Sequence, residues 1–383
     1  MEITSFSMNW HYPTAMRVGA GRIRELGKAC GQLGMKAPLL VTDPGLAGFP
    51  MVEEALQNCR DAGLRVGLFS AIKGNPTGGN VAGVAALKAG EHDGVIAFGG
   101  GSAIDAAKAI ALIAHQSCSI FEAGPGSIDA SKMLPVVAVP TTAGTGSEVG
   151  QAVVITDDVN HVKRPIFHLK MVPGIVILDP ELTLGLPAKL TAATGMDALA
   201  HNLEAYCTPL YHPMAEAIAL EGMRLVKEYL PRATANGQDV EARQQMLVAS
   251  SMGAVAFQRG LGAIHAVSHT LGALYDSHHG LLNAIMMPYV LQANRAAIEP
   301  EMLRLSRYLD LPTPGFEGVL AWILELRAEL GIAHTLADIG MDDSQAELIG
   351  KMSAKDVTAR TNAVQMDAAQ YQQLFLNALT GTL

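Results

Sequence analysis

Residues 38–42, 65–69, 94–98, 134–139 and 175–178 form short runs dominated by apolar side chains. Between them, residues 51–62, 80–89 and 103–115 carry apolar positions at helical spacing. Continuous rather than alternating apolar runs mark strands buried on both faces, as in parallel sheets. This strand–helix alternation predicts a doubly wound, Rossmann-like α/β domain with right-handed crossovers. The pattern changes near Leu182. Strand signals stop, Pro187 suits the first turn of a helix, and long Ala-, Leu- and Met-rich runs follow at 188–206, 214–230, 240–257, 262–274, 281–297, 316–330 and 368–379. Two domains are expected: α/β over residues 1–182 and all-α over residues 183–383.

Length and composition agree with that division. A chain of 383 residues exceeds one ordinary core. Hydrophobic residues make up 49% and charged ones only 16%, which calls for a large buried volume or an extensive subunit interface. The net charge of −9, without a basic tract, argues against a nucleic-acid partner. No run approaches the ~18 uninterrupted apolar residues of a membrane span, and the first residues lack the basic and apolar regions of a signal peptide. A cytoplasmic protein without a membrane partner is expected. Cys30, Cys59, Cys118 and Cys207 show no CxxC spacing and are expected to be buried, reduced thiols.

Three features at the ends of predicted strands suit a dinucleotide. Gly99-Gly-Gly-Ser102 lies between a strand and a helix, where small residues admit a pyrophosphate to the helix amides. A tight strand–helix turn would use the same glycines. Residues 140–148 (PTTAGTGSE) follow the next strand and concentrate hydroxyls and backbone donors, although local side-chain bonds in a turn would need them too. Asp43 ends the strand at 38–42 and can accept from an adenosine ribose, favouring NAD over NADP. Its simpler role is to cap the turn at Pro44-Gly45. Open α/β sheets bind ligands along this strand edge.

The second half carries a set suited to a metal. Asp197 and His201 stand four apart, as do His265 and His269, so each pair shares a helix face. His278 and His279 follow. One carboxylate with several imidazoles suits Fe(II) or Zn(II).

Together these segments resemble the iron-containing (group III) alcohol dehydrogenase family over nearly the whole chain. The resemblance rests on Asn75-Pro-Thr77, Gly99 to Ser102 with Asp105, residues 140–148, residues 178–183 (LDPELT), residues 192–201 (AATGMDALAH), and the spacing of His265, His269 and His279-Gly280. It implies a dinucleotide-binding α/β domain followed by a helical metal domain, the dehydroquinate synthase-like fold. It also implies hydride transfer between NAD and a small primary alcohol or aldehyde, with Fe(2+), or Zn(2+), polarising the substrate oxygen. The implied metal ligands are Asp197, His201, His265 and His279. His269 moves from ligand to a place near nicotinamide and substrate; relaying a proton, orienting the substrate and simply packing beside the metal are the roles open to it there. The implied cofactor contacts are Asp43, Asn75, Gly100, Gly101, Ser102, Thr141, Thr142, Thr145 and Lys163. The family also implies a homodimer or higher homo-oligomer.

The chain departs from the family pattern in three places, one of which is the unusual segment at residues 164–170 (RPIFHLK) that weakens the match at Lys163. Ala103 replaces the usual proline after the glycine–serine motif, and His278 doubles the histidine before Gly280, where the spacing from His265 selects His279. Two other readings stand beside this one: a zinc-dependent polyol or hydroxy-acid dehydrogenase of the same fold, and a non-catalytic nucleotide-binding protein.

Overall fold

The computed structural model describes residue 12 and residues 14–73, 76–123, 127–157 and 162–383, without the side chains of residues 81, 162 and 163. Among the described residues the strands are β1 (Ala15–Val18), β2 (Pro38–Val41), β3 (Gly67–Phe69), β4 (Gly94–Gly99), β5 (Val136–Pro140), β6 (Ala152–Asp157), β7 (Val162–Phe167) and β8 (Ile175–Leu178). Helices α1 (Leu26–Gln32), α2 (Pro44–Ala47), α3 (Pro50–Asp61), α4 (Ala82–Ala89) and α5 (Gly101–Ile113) alternate with them. The rest is helical: α6 (Ala188–Cys207), α7 (Pro213–Ala235), α8 (Val240–Ala256), α9 (Ala263–Tyr275), α10 (His279–Tyr308), α11 (Phe316–Glu329), α12 (Ala346–Ser353) and α13 (Ala368–Thr380).

Six strands form one parallel sheet in the order β1-β8-β5-β4-β2-β3. Every residue of β2, β4, β5 and β8 is buried, which is why their sequences read as unbroken apolar runs. On one face Leu40, Ile96, Phe98, Val137 and Val139 meet Leu26 and Cys30 of α1 and Val52 and Leu56 of α3. Each such side chain contributes about 1.5–3 kcal/mol on full burial. Alternate positions, such as Leu39, Val95 and Ala97, point to the other face and are equally buried. There α5 is buried at every residue from Ala103 to Ile113. β6 and β7 form a separate antiparallel pair.

The chain divides into two compact units. One holds residues 12–142 and 146–185; the other holds residues 143–145 and 186–383. The short excursion at 143–145 has a packing basis. Ala143 packs on the helical core, and a Cβ on Gly144 would stand 3.0 Å from Thr194. Within the helical unit, α6 is almost wholly buried. Its Met196, Leu199 and Leu203 join Met223, Val226 and Leu230 of α7, Met246 of α8, Ile264 of α9 and Ile285 of α10.

Of the four cysteines, all free, Cys30, Cys59 and Cys207 are buried as expected, while Cys118 is half-buried. Among the described residues no single helix is long and apolar enough to cross a membrane.

Candidate metal centre and dinucleotide loops

The glycine and threonine loops meet at the C-terminal ends of β4 and β5. Gly99 has φ 142°, a conformation that side chains rarely adopt, and a Cβ there would lie 2.9 Å from the Ala103 methyl. Gly100 caps α5 in extended conformation, and Gly101 and Ser102 open the helix. The Thr141 amide donates to the Gly99 carbonyl at 3.0 Å. A Cβ on Gly100 would come 3.4 Å from Thr142 Oγ1. The N-terminus of a thirteen-residue helix, beside threonine hydroxyls, suits an anionic phosphate group.

Asp43 caps α2, its Oδ1 accepting from the Leu46 amide at 3.0 Å. Its Oδ2 faces the same glycine loop, 3.6 Å from where a Cβ on Gly99 would stand. Thr145 lies in the segment that belongs with the helical unit. Asn75 and the side chain of Lys163 fall outside the described residues.

Sequence reasoning missed Lys108, and it named Asp105 only as part of the glycine–serine motif, with no role. The wholly buried Lys108 ammonium donates to the carbonyls of Ser147, Gly150 and Ala152 at 2.9, 2.8 and 2.7 Å. Burial pulls its pKa down to about 8, with Asp105 and Glu148 opposing. Asp105 Oδ2 accepts from the Val154 amide at 2.8 Å. One turn of α5 therefore fastens the far end of the threonine loop and the start of β6. The signal was present as Asp105 and Lys108, three apart on one face of a helix otherwise made mostly of Ala and Ile.

The helical unit assembles the second site. Asp197 and His201 come from α6, His265 and His269 from α9, and His279 from the first position of α10. Asp197 Oδ1 lies 3.9 Å from His201 Nε2, 4.0 Å from His265 Nε2 and 3.6 Å from His279 Nε2. Among the described residues Asp197, His265 and His279 bring ligand atoms within 4.8 Å of one another, and His201 stands just beyond that triad, its ring stacked on His265. His279 is 26% exposed and Asp197 only 3%, so the centre opens on the His279 side. His278 is the exposed N-cap of α10, accepting from the Leu281 amide, and takes no place in the cluster.

The partners of the rings matter for which nitrogen is available. His265 Nδ1 is 2.7 Å from Glu204 Oε2, and His201 Nδ1 is 3.3 Å from the Gly144 carbonyl. Acceptors at Nδ1 place the proton there and leave the Nε2 lone pair for a cation. Burial pushes the His265 pKa well below its ordinary value, with His201 and His269 adding to the effect, so its imidazole is neutral. Burial raises Glu204 to about 7 against its hydrogen bonds from Gly262 and Ile264. His269 stacks on His279 at 5.4 Å and pairs through Nδ1 with Asp356 Oδ2 at 3.0 Å.

Asn283 supplies a test of whether this set suits a metal. Its Nδ2 lies 2.7 Å from Asp197 Oδ1, 3.2 Å from His265 Nε2 and 3.1 Å from His279 Nε2. An amide has two N–H groups for these three acceptors, and Asn283 Oδ1 is buried without a partner. The three acceptors converge on one point, where they share a single amide nitrogen. A divalent cation with nitrogen and oxygen preference would satisfy them.

Glu204, Asn283 and Asp356 were missed in the sequence. Glu204 was legible, because it continues the Asp197–His201 face of α6 at the next helical step. Asn283 likewise stands four after His279. Asp356 lies 87 residues from His269 with no local signal.

Comparison with known proteins covers both units. Residues 13–180 match the iron-containing alcohol dehydrogenase family, and residues 191–379 match the C-terminal domain of the Fe-containing alcohol dehydrogenase family. The chain is 37% identical to the NAD-dependent methanol dehydrogenase of Bacillus methanolicus, over 97% of this chain and 100% of that one. It is 38% identical to the 4-hydroxybutyrate dehydrogenase of Cupriavidus necator, over 95% and 98%. A crystal structure of 1,3-propanediol oxidoreductase superposes with a TM-score of 0.94 at 34% identity, covering 97% of this chain and 100% of that one. The parallel sheet, the helical second half and these matches leave one assignment: the chain belongs to the iron-containing alcohol dehydrogenase family, as an oxidoreductase acting on CH–OH groups.

Proposed function

We propose that the chain is an NAD-dependent, Fe(II)-dependent alcohol dehydrogenase or aldehyde reductase, moving a hydride between nicotinamide and a small primary alcohol or aldehyde. The observation that carries this reading is the convergence of Asp197, His265 and His279, with His201 beside them. Asp197, His201, His265 and His279 would hold the metal, which supplies Lewis acidity toward the substrate oxygen. Three imidazoles and one carboxylate would leave room for that oxygen, and His279 lines the open side.

His269 is the proton-handling group in this reading. Asp356 accepts from its Nδ1, which leaves Nε2 to take a proton from an alcohol or return one to it. Gly100, Gly101 and Ser102 hold the pyrophosphate at the α5 N-terminus. Thr141, Thr142 and Thr145 follow the phosphates and nicotinamide ribose. Asp43 and Asn75 serve the adenosine side, and Lys163 a ribose hydroxyl. Fixing the ring against the substrate supplies much of the rate gain. The acidic chain works in the cytoplasm as a homodimer or higher homo-oligomer, and membership of an oxidoreductase family removes the support for a non-catalytic reading.

Dialysis against a chelator is expected to abolish NADH-linked reduction of short aldehydes, and anaerobic Fe(II) to restore it. Full activity in metal-free protein would exclude the metal role. Zinc-dependent polyol or hydroxy-acid oxidation is the second reading, since Zn(II) accepts the same donors. Metal analysis of anaerobically purified protein, with a panel of methanol, 1,3-propanediol and 4-hydroxybutyrate, separates the two. The panel follows the names of the relatives.

Asp43→Gly is expected to raise kcat/KM with NADP relative to NAD by on the order of tenfold, by removing a negative charge where the 2′-phosphate would lie. Glycine is itself a tolerated N-cap, so α2 loses only a few tenths of a kcal/mol. An unchanged coenzyme ratio would leave Asp43 with the capping role alone.

A further inference from the structure

We propose that Glu204 is a positioning residue of the metal centre: it sets the start of α9 and holds His265 with its proton on Nδ1, so that Nε2 is presented to the metal. The inference rests on the metal reading given above and extends it to a residue outside the ligand set.

The geometry joins two tasks in one carboxylate. Glu204 lies on α6 one helical step beyond His201, and its side chain is 6% exposed. Oε1 accepts from the Ile264 amide at 2.6 Å. Oε2 accepts from the Gly262 amide at 2.9 Å and stands 2.7 Å from His265 Nδ1. α9 has no side-chain cap from its own N-cap residue, Gly262. Glu204 and Asn362 supply it from elsewhere in the chain, Asn362 Oδ1 accepting from the Ala263 amide at 3.0 Å. A Cβ on Gly262 would come within 2.9 Å of Glu204 Oε1, so the glycine makes room for this approach. The backbone turn that carries His265 and the ring of His265 are therefore registered by the same two oxygens.

Those two oxygens receive three donors, and a carboxylate can accept all of them. An amide cannot. In Glu204→Gln the single oxygen can serve either Ile264 or the pair formed by Gly262 and His265. If the NH2 group faces His265, the favourable arrangement puts the imidazole proton on Nε2, and that proton blocks the lone pair aimed at the metal. If the NH2 group faces Ile264, two donors confront each other and the first turn of α9 is displaced, carrying His265 with it. Both arrangements weaken the site. Loss of such an outer carboxylate typically costs 10–100-fold in metal affinity.

The test uses full-length protein and two readouts. Zn(II) affinity is measured by chelator competition for wild type, Asp197→Ala, Glu204→Gln and Glu204→Asp. Nitrogen-15 NMR of the histidine rings in metal-free protein reports which nitrogen of His265 carries the proton. The expected result is an Nδ1–H tautomer in wild type. Glu204→Gln should bind Zn(II) 10–100-fold more weakly with that tautomer lost or the His265 signals displaced, and Glu204→Asp should fall between it and wild type. Wild-type affinity in Glu204→Gln, alongside lost binding in Asp197→Ala, would overturn the role of Glu204 and leave the metal reading intact. Wild-type affinity in Asp197→Ala would overturn the metal reading itself. Weakened binding with the His265 signals unchanged would also overturn the role. If Glu204→Gln does not fold, Glu204→Asp carries the comparison, and wild-type affinity there counts against the proposal.

Discussion

Asp197→Ala is expected to lower kcat/KM for a short aldehyde by at least about 10³-fold and to remove tightly bound metal. Asp197 is the anionic donor in the cluster, at 3.6–4.0 Å from three imidazole Nε2 atoms, and it is buried. Neutral imidazoles alone would have to hold a divalent charge away from water, where charge compensation is worth several kcal/mol. About 4 kcal/mol corresponds to 10³ in rate. Asp197→Asn keeps the shape and one acceptor oxygen but not the charge, and a loss nearly as large is expected of it. Metal content, Zn(II) affinity and kcat/KM on the same preparations check this, with circular dichroism to establish that the helices are intact. A folded Asp197→Ala protein that retains its metal and a tenth of its activity would remove Asp197 from the ligand set.

Asp197 also illustrates what the sequence could convey. A carboxylate and an imidazole four apart on a helix declare a shared face, and α6 runs unbroken through both. The same local logic made β2, β4, β5 and β8 readable, because strands buried on both faces need apolar residues at every position. β1 escaped because among the described residues it is an edge strand beside β8, and Ala15-Met-Arg-Val18 is only partly enclosed there. The β6–β7 pair escaped for a different reason. Its burial alternates along β6, and β7 carries Lys163, Arg164 and Pro165 outside the main sheet. The apolar pattern predicts a helix ending at residue 297, before Pro300, yet α10 runs from His279 to Tyr308 through both Pro288 and Pro300. Proline's local preference against a helix interior is overridden there by buried residues at regular intervals, including Ile298, Met302 and Leu305. The site divides along the same line. Ligands spaced within one helix were legible. The Nδ1 acceptors of His201, His265 and His269 lie 57, 61 and 87 residues away in the chain. Of these, only Glu204 left a trace, by sharing the Asp197–His201 face.

The glycine after His279 has a similarly local cause, and its replacement gives the second large effect. Gly280 is the second residue of α10 and is buried where that helix meets α6. A Cβ there would stand 2.3 Å from the Ala193 carbonyl oxygen, 2.9 Å from its carbon and 3.1 Å from Asp197 Cβ. The nearest obstacle is helix backbone, which cannot rotate aside as a side chain can. In Gly280→Ala the start of α10 must withdraw by on the order of 1 Å, and His279, its first residue, moves with it. Overpacking of this kind costs about 1–3 kcal/mol, and a ~1 Å displacement of a catalytic group costs about 10²-fold in rate. Urea unfolding of metal-free protein should therefore show the stability loss without any contribution from the ion, while kcat/KM and Zn(II) affinity report the displaced histidine. Gly31→Ala is the control. Gly31 lies in α1, and a Cβ there meets nothing within 4 Å. Alanine should stabilise that helix by up to about 1 kcal/mol. Opposite signs at the two glycines would identify close helix contact as the reason for Gly280. Wild-type stability and metal affinity in Gly280→Ala would mean that α10 can yield at its first turn without disturbing His279, and the tight crossing would then not be what places the ligand.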